Sequence, residues 1–329
     1  MKRLSEIDFM RPILVVLLVF YHAFIVYDGG WRPFMGFVPI MPYKALATIT
    51  YSFMLESYVM VSGYVMGFQQ ANNRIGGWGV YMLRKVKRLL IPSFFFSVLY
   101  LFLFHTGSFT DAVSDFVLTL GGVGHLWFLP MLFLCFVISL LLDKIPWVWL
   151  RYVILLLFFL VKLLPYQPFQ ISSCAYYLLF FYIGKDLYKL LENKHITIWQ
   201  VIASWLLFIF LFGVSKAILS PITGQLSDAV DLLKQVFYSM AGSMAFFKTA
   251  IFVTQRSVLP VNYVKIGELC FGVYIFQQFF LQIIYYKTDA PVILGPVVLP
   301  WISFVVVLIT SLLCTALLRK TNIGKALVG

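Results

Sequence analysis

Long hydrophobic runs recur from one end of this chain to the other, separated by short polar intervals. A bilayer-spanning helix needs about 20 mostly apolar residues. Ten segments approach that length: 12–27, 45–70, 89–104, 125–142, 147–164, 174–191, 199–219, 230–254, 266–286 and 292–318. Their apolar residues are continuous rather than alternating, which argues against a β-barrel. The pattern predicts an all-α fold, a polytopic membrane helix bundle with about ten transmembrane helices. Neither an internal repeat nor a linker divides the chain, so residues 1–329 read as a single integral-membrane domain.

The polar residues inside these runs carry the chemical information. In "VLLVFYHAFIVYDGG", His22 sits deep in the first run. Ionisable groups at that depth usually face the bundle interior or a wet cavity. Arg11 precedes His22 by eleven residues, close to whole helical turns, so both occupy one face about 16 Å apart along the axis. Asp8 falls on a nearby face, at the edge of the membrane. The stripe runs from a charged rim to a mid-membrane imidazole. It would suit a long ligand with an anionic head and a reactive tip, as in an acyl-CoA.

In the second run, Glu56 lies about 16 Å of helix from the start of the segment, a depth matching that of His22. A carboxylate beside an imidazole fixes its tautomer and stabilises the imidazolium. The other reading is a protonated Glu56 hydrogen-bonded to a neighbouring helix. Ser62, Gly63 and Gly67 in "SGYVMG" permit close helix packing, and that role accounts for them. "GGVGHLWFLP" opens the fourth run. There Trp127 fits an aromatic belt, and His125 either binds a polar acceptor or caps the helix. The ninth run carries Tyr274, Gln277 and Gln278 at mid-depth, after Glu268. Adjacent glutamines inside a membrane need partners, so at least one is expected to face the interior.

Composition agrees with a membrane bundle. The chain is 62% hydrophobic and 12% charged, against about 45–50% and 25% in soluble domains, and its mean hydropathy is +0.93. The net charge is +12, but the cations sit in short loops, so nucleic acid is not the expected partner. With the N-terminus in the cytoplasm, nineteen Lys and Arg fall inside. Only six, Arg32, Lys44, Lys162, Lys216, Lys234 and Lys287, fall outside. One helix more or fewer would put later loops on the wrong side, so the distribution supports ten helices with both termini cytoplasmic in the plasma (inner) membrane. The first run lacks a small-residue cleavage site and is read as a retained helix.

The segment 76–88 reads as the strongest cytoplasmic loop. Within it Arg84, Lys85, Lys87 and Arg88 place four cations in five residues just before a helix. The cluster acts as a topology signal or as a phosphate site, for which arginine offers a planar fork and lysine a point charge. His105 and His195 read as ordinary loop histidines. The four cysteines are scattered in apolar runs without metal or disulfide spacing and read as small buried hydrophobes. No metal is expected, and no nucleotide-binding or metalloprotease signature is present.

Taken together, "IDFMRPILVVLLVFYHAF", "VSGYVMGF", "RKVKRLLIP", "GHLWFLP" and "GVYIFQQF" resemble the membrane acyltransferase-three family, polytopic O-acyltransferases of surface glycans. The stretches occur in the family's order and cover the chain. The resemblance implies a ten-helix core, an acyl-CoA donor (acetyl-CoA by default) and an acceptor sugar at or beyond the membrane, either a carbohydrate or a lipid-linked glycan. By position, Asp8 and Arg11 match the family's Asp-x-x-Arg, His22 its essential histidine, and Arg84 and Arg88 with their lysines its basic donor motif. Gln277 stands where the family commonly has histidine. Glutamine hydrogen-bonds but does not exchange protons at neutral pH, so His22 is the expected base and Gln277 a positioning group. Pro12 replaces the usual glycine and is acceptable in a first helical turn. The expected site therefore joins His22, Glu56 and Asp8 in catalysis. Arg11, Arg84, Lys85, Lys87 and Arg88 would hold the donor, and His125, Trp127, Tyr274 and Gln277 the acceptor. His22 acts either as general base or as an acyl relay. The rival class is a glycan or lipid-linked-sugar transporter or flippase. Such proteins often carry inverted repeats, which are not evident here.

Overall fold

The computed structural model describes residues 4–164, 168–192, 194–217 and 225–329. Lys2, Arg3 and the end of the seventh predicted segment lie outside them. All regular structure among the described residues is helical: α1 Ser5–Phe24, α2 Met41–Ala71, α3 Trp78–Lys85, α4 Ile91–Phe104, α5 Phe109–Leu118, α6 Phe128–Leu142, α7 Val148–Phe159, α8 Ile171–Leu191, α9 Ile198–Ala217, α10 Gln225–Thr254, α11 Val261–Tyr286, α12 Ala290–Leu318 and α13 Asn322–Val328. Among the described residues, seven stretches are long and apolar enough to cross a membrane: Ser5–Phe24, Trp78–Phe104, Gly124–Leu142, Ile198–Ala217, Ser227–Thr254, Val261–Tyr286 and Ala290–Leu318. The chain is thus a polytopic helical protein of the cytoplasmic-membrane kind. α2, α7 and α8 cover the other three predicted segments but are more polar or shorter.

The chain forms two compact units. The first comprises Met1–Tyr58, His195–Leu219 and Leu233–Gly329, and the second Val59–Lys194 and Ser220–Leu232. In the first, α1, α11 and α12 pack together. The Tyr263 hydroxyl donates to the Phe9 carbonyl at 2.7 Å, and the Tyr285 hydroxyl donates to the Ala23 carbonyl. These two bonds make α1 and α11 run in the same direction. α12 runs opposite to them: Gly272 of α11 packs against Thr315, and Arg319 pairs with Glu268 at 3.4 Å. α12 breaks at Gly295, whose φ of 65° and ψ of 171° are non-helical. Beyond the break, Pro300 has no N–H for the carbonyl of Pro296, and the Tyr27 hydroxyl donates to that carbonyl instead. The same unit joins α2 to α10 through serines. Ser239 donates to the Ser52 carbonyl at 2.5 Å, and Ser57 and Ser243 lie 3.0 Å apart.

The second unit is built on a close backbone approach. A Cβ on Gly63 would lie 1.9 Å from the Phe181 carbonyl oxygen, and one on Gly67 2.3 Å from that of Lys185. Gly184 returns the contact against Met60. The glycines of "SGYVMG" therefore do what the sequence suggests, letting α2 and α8 touch along their backbones.

Two expectations are corrected. The basic segment is not a loop. It is helical from Trp78, passing from α3 into α4 through a π-helical turn, Val86–Leu90. Pro92 cannot donate to the carbonyl four residues back, and just before it the Ile91 N–H donates to the Val86 carbonyl, a bond spanning five residues. Pro12 lies inside α1 rather than in its first turn, because the helix begins at Ser5. Between the third and fourth predicted runs, α5 adds a short helix. Ser108 and Asp111 close a capping box at its start, while Phe109, Val113 and Val117 leave an apolar edge exposed. The alternation there is too short to stand out between two membrane runs.

Candidate active site

The residues singled out in sequence divide between the two units. Asp8, Arg11, His22, Glu56, Tyr274 and Gln277 belong to the first. Arg84, Lys85, Lys87, Arg88, His125 and Trp127 belong to the second.

In the first unit, the stripe on α1 is built as the spacing predicts. Asp8, Arg11, Val15, Leu18 and His22 follow at intervals of three and four residues, so they share one face. Val15 and Leu18 are buried, as is His22, while Asp8 and Arg11 at the start are half-buried. The face thus turns into protein along its length and opens at its charged end. α11 supplies the next surface. Cys270 has Arg11 as an electrostatic neighbour, and Tyr58 of α2 has Cys270 and Tyr274. Tyr58 was not among the residues expected at this site. A tyrosine in an apolar run gives no sequence signal of its own. Glu56 is buried on the same helix, two residues earlier, at 2% exposure.

Gln277 is fully buried on α11, and Gln278 beside it is 5% exposed. Neither the amide oxygen nor the amide nitrogen of Gln277 has a hydrogen-bond partner among the described residues. Buried polar groups are nearly always satisfied, and one that is not calls for a functional explanation. Tyr274 precedes Gln277 by three residues, one turn away on the same side.

His22 also has an aromatic neighbour that was not anticipated. α1 ends at Phe24, and the chain turns through Gly29, whose φ is +82°. That turn returns Trp31 to the bundle. The Trp31 ring lies 19° from the plane of the His22 imidazole, with centroids 6.1 Å apart. Tyr285 and Tyr286 at the end of α11 hold Trp31 from the side, each at 6.3 Å.

In the second unit, Arg84, Lys87 and Arg88 are exposed and Lys85 is half-buried. The Arg84 guanidinium donates to the Ile75 carbonyl at 2.8 Å. Lys85 Nζ lies 3.8 Å from the centroid of Phe136, a cation–π contact that holds it against α6. Four cations on the α3–π–α4 junction, three of them open to solvent, can meet a polyphosphate. His125 is buried in a 3-10 turn, Gly124–Trp127, with its ring 6.1 Å from that of Tyr100. Trp127 lies 5.9 Å from Tyr177.

A charged cluster in this unit escaped the sequence. Asp143 follows α6 and collects donors from three helices. Gln70 Nε2 donates to its Oδ2 at 2.6 Å. Tyr182 donates to Oδ1 at 3.2 Å, as does Lys185, and Arg151 lies 3.8 Å away. The contributing residues are far apart in the chain, and each alone looks like an interfacial charge. Cys135 and Cys174 likewise meet, with sulfurs 3.8 Å apart. They are buried, as expected, but paired. Among the described residues, no three His, Cys, Asp or Glu side chains gather as metal ligands would.

Residues 4–320 match the family model of an acyltransferase domain, that of acyltransferase family 3. No curated protein and no solved structure matches the chain.

Proposed function

The chain belongs to acyltransferase family 3, and from that premise we propose that it is a membrane-embedded O-acyltransferase. It moves an acyl group, acetyl in the simplest case, from cytoplasmic acyl-CoA to a hydroxyl of a cell-surface or exopolysaccharide sugar. The observation that carries this reading is the α1 stripe. A buried imidazole, His22, stands about 16 Å of helix from the half-buried Arg11, with the half-buried Asp8 about one turn further out, in a chain matched by the family over nearly all its length. Family membership leaves the transporter reading without a feature of its own.

In this mechanism the donor's phosphates meet Arg84, Lys85, Lys87 and Arg88, and the pantetheine arm carries the thioester into the membrane. His22 takes the proton of an acceptor hydroxyl, whose oxygen attacks the thioester carbonyl. The C–S bond then breaks, and the leaving CoA thiolate takes the proton back from the imidazolium. An imidazole titrates near working pH and serves both directions of proton transfer. Relay through an acyl-imidazole would use the same residue. Glu56, buried at a matching depth, is assigned to orient the imidazole, with Asp8 at the rim. Gln277 and Tyr274 position the acyl donor or the acceptor, as do His125 and Trp127. The charge distribution supports ten spans with both termini in the cytoplasm, and the family match from 4 to 320 supports a single domain.

The test compares acetyl-CoA binding and slow hydrolysis by wild type, His22→Ala and an Arg84→Gln/Arg88→Gln double variant in detergent. General-base catalysis contributes about 10²–10⁴-fold, so His22→Ala should bind donor but lose turnover by that factor. The double variant should bind donor more weakly, with a smaller salt dependence. Retained turnover in His22→Ala removes the assigned base. No donor binding by the wild type removes the function.

A further inference from the structure

We propose that the groove between α9 and α10 holds the headgroup phosphate of an anionic phospholipid, bound between Lys248 and Arg256. Neither residue belongs to the proposed acyl-transfer site. Side chains tie the two helices together along the groove. Trp205 Nε1 donates to Thr249 Oγ1 at 3.0 Å, and Lys248 Nζ donates to the buried Ser204 Oγ at 2.9 Å. The Arg256 guanidinium donates to the Ile196 carbonyl at 3.3 Å. Lys248 lies inside a stretch apolar enough to cross a membrane, Ser227–Thr254, where a charge is costly and normally has an opposite charge beside it. Among the described residues, neither Lys248 nor Arg256 pairs with a carboxylate. The two cations are also near each other. Arg256 folds back over the Phe252 ring, 3.7 Å from its centroid, and donates to the Phe252 carbonyl at 3.2 Å. The guanidinium thus stands at the level of Phe252, one helical turn or about 6 Å from Lys248. The C-terminus of α10 accounts for one cation. Two like charges a turn apart call for an anion.

Donors remain for that anion. The Lys248 ammonium uses one of its three N–H groups. Both bonds of the guanidinium leave from Nη1, so Nε and Nη2 keep three more. The site also opens toward lipid. Lys248, Met244 and Phe237 follow at intervals of four and seven residues, so they share one face of α10. Lys248 and Met244 are half-buried, and Phe237 is 64% exposed. The depth suits a headgroup. Trp199, in the first turn of α9, is 74% exposed, as an interfacial belt residue is. Ser204 lies five residues, about 8 Å, deeper. A phosphate between the cations therefore sits near the polar boundary, and an acyl chain runs past Met244 toward Phe237, about 16 Å of helix away. A zwitterionic headgroup brings a cation of its own and gains less from this site.

Native mass spectrometry of the delipidated full chain in detergent tests this. The probes are phosphatidylglycerol and phosphatidylcholine with the same acyl chains. Each cation beside an anionic headgroup is worth about fivefold in binding. Wild type should therefore take its first phosphatidylglycerol roughly twenty-five-fold more tightly than its first phosphatidylcholine. Lys248→Met and Arg256→Gln should each lose about fivefold of that preference, and the double variant nearly all of it. Ser204→Ala keeps both charges and should keep the preference. Lys248→Met removes an unmatched charge, so without lipid it should melt no lower than wild type, while gaining less from phosphatidylglycerol. Arg256→Gln, at the exposed end of α10, reads the site even where Lys248→Met fails to accumulate. The proposal is overturned if wild type binds both lipids equally, or if the double variant keeps the preference. It is overturned too if Arg84→Gln/Arg88→Gln loses the preference instead, since the lipid would then sit on the junction of α3 and α4. Displacement of the lipid by inorganic phosphate would make the groove a site for soluble anions and also overturns it. So does a Lys248→Met variant that melts lower yet keeps the preference, because Lys248 would then only tie α10 to α9.

Discussion

Two polar sites, one in each unit, solve the same problem, polar groups in an apolar interior, in opposite ways. In the second, Asp143 meets Gln70, Tyr182, Lys185 and Arg151. Arg151 also donates to the Ile145 carbonyl at 2.7 Å, and Lys185 lies over the ring of Tyr182 at 3.6 Å. There the donors of three helices converge on one carboxylate. In the first, Gln277 sits at the centre of α11 with both ends of its amide unmatched by the described residues. A satisfied buried network fixes helices in one arrangement, whereas an unsatisfied group stores a cost that a ligand can relieve. On the proposed function, the difference is between polar residues kept for structure and those kept for binding.

The largest expected effect comes from breaking the satisfied cluster. Lys185 is 4% exposed, so Asp143→Ala would leave its charge buried beside Arg151. Removing one partner of a buried pair costs about 3–5 kcal/mol. The variant should melt far below wild type in detergent or fail to accumulate. Asp143→Ala together with Lys185→Met should recover much of the loss, because the stranded charge goes too. A melting temperature unchanged in the single variant would make the cluster incidental.

A smaller effect, of opposite sign, is expected at Gln277. An unmatched buried amide costs about 1–3 kcal/mol. Gln277→Leu, close in volume and apolar, should therefore raise the melting temperature while acyl transfer falls. That divergence marks a binding residue, since a packing residue would lose both together. A less stable variant with full activity would mean that the amide has a structural partner and no part in the chemistry.

Much of this contrast was legible before the structure. Ten apolar runs gave the helical membrane bundle, because hydrophobic length is a property of a single segment. The spacing of Asp8, Arg11 and His22 gave one face of α1 for the same reason, and Gly63 and Gly67 announced a close helix contact. The Asp143 cluster was not legible, since it depends on helices far apart in sequence meeting at one carboxylate. Trp31 was hidden because its approach to His22 follows from the backbone turn at Gly29 and not from helical periodicity. The π-turn at Val86–Leu90 was missed for a different reason. Its cations suggested a loop, and only the backbone bond from Ile91 to Val86 reveals the continuous helix.

The smallest effect sharpens the comparison by taking burial away. Ser108 and Asp111 form a polar cluster as complete as that of Asp143. Ser108 Oγ accepts from the Asp111 N–H at 3.2 Å, and Asp111 accepts from the Ser108 N–H at 3.1 Å. The Ser108 hydroxyl and N–H hold the Asp111 carboxyl below the ordinary carboxylate range. A carboxyl lowered in the folded state stabilises α5 above its unfolded pKa, and that contribution is lost as pH falls through the folded value. Because the cluster is fully exposed, water competes for every bond in it. Ser108→Ala should therefore speed amide exchange in α5 at neutral pH and leave the global melting temperature unchanged. The exchange difference between variant and wild type should shrink in acid. A global destabilisation comparable to that of Asp143→Ala would mean that satisfaction alone, without burial, sets the worth of such a network, and the contrast between the two units would lose its physical basis.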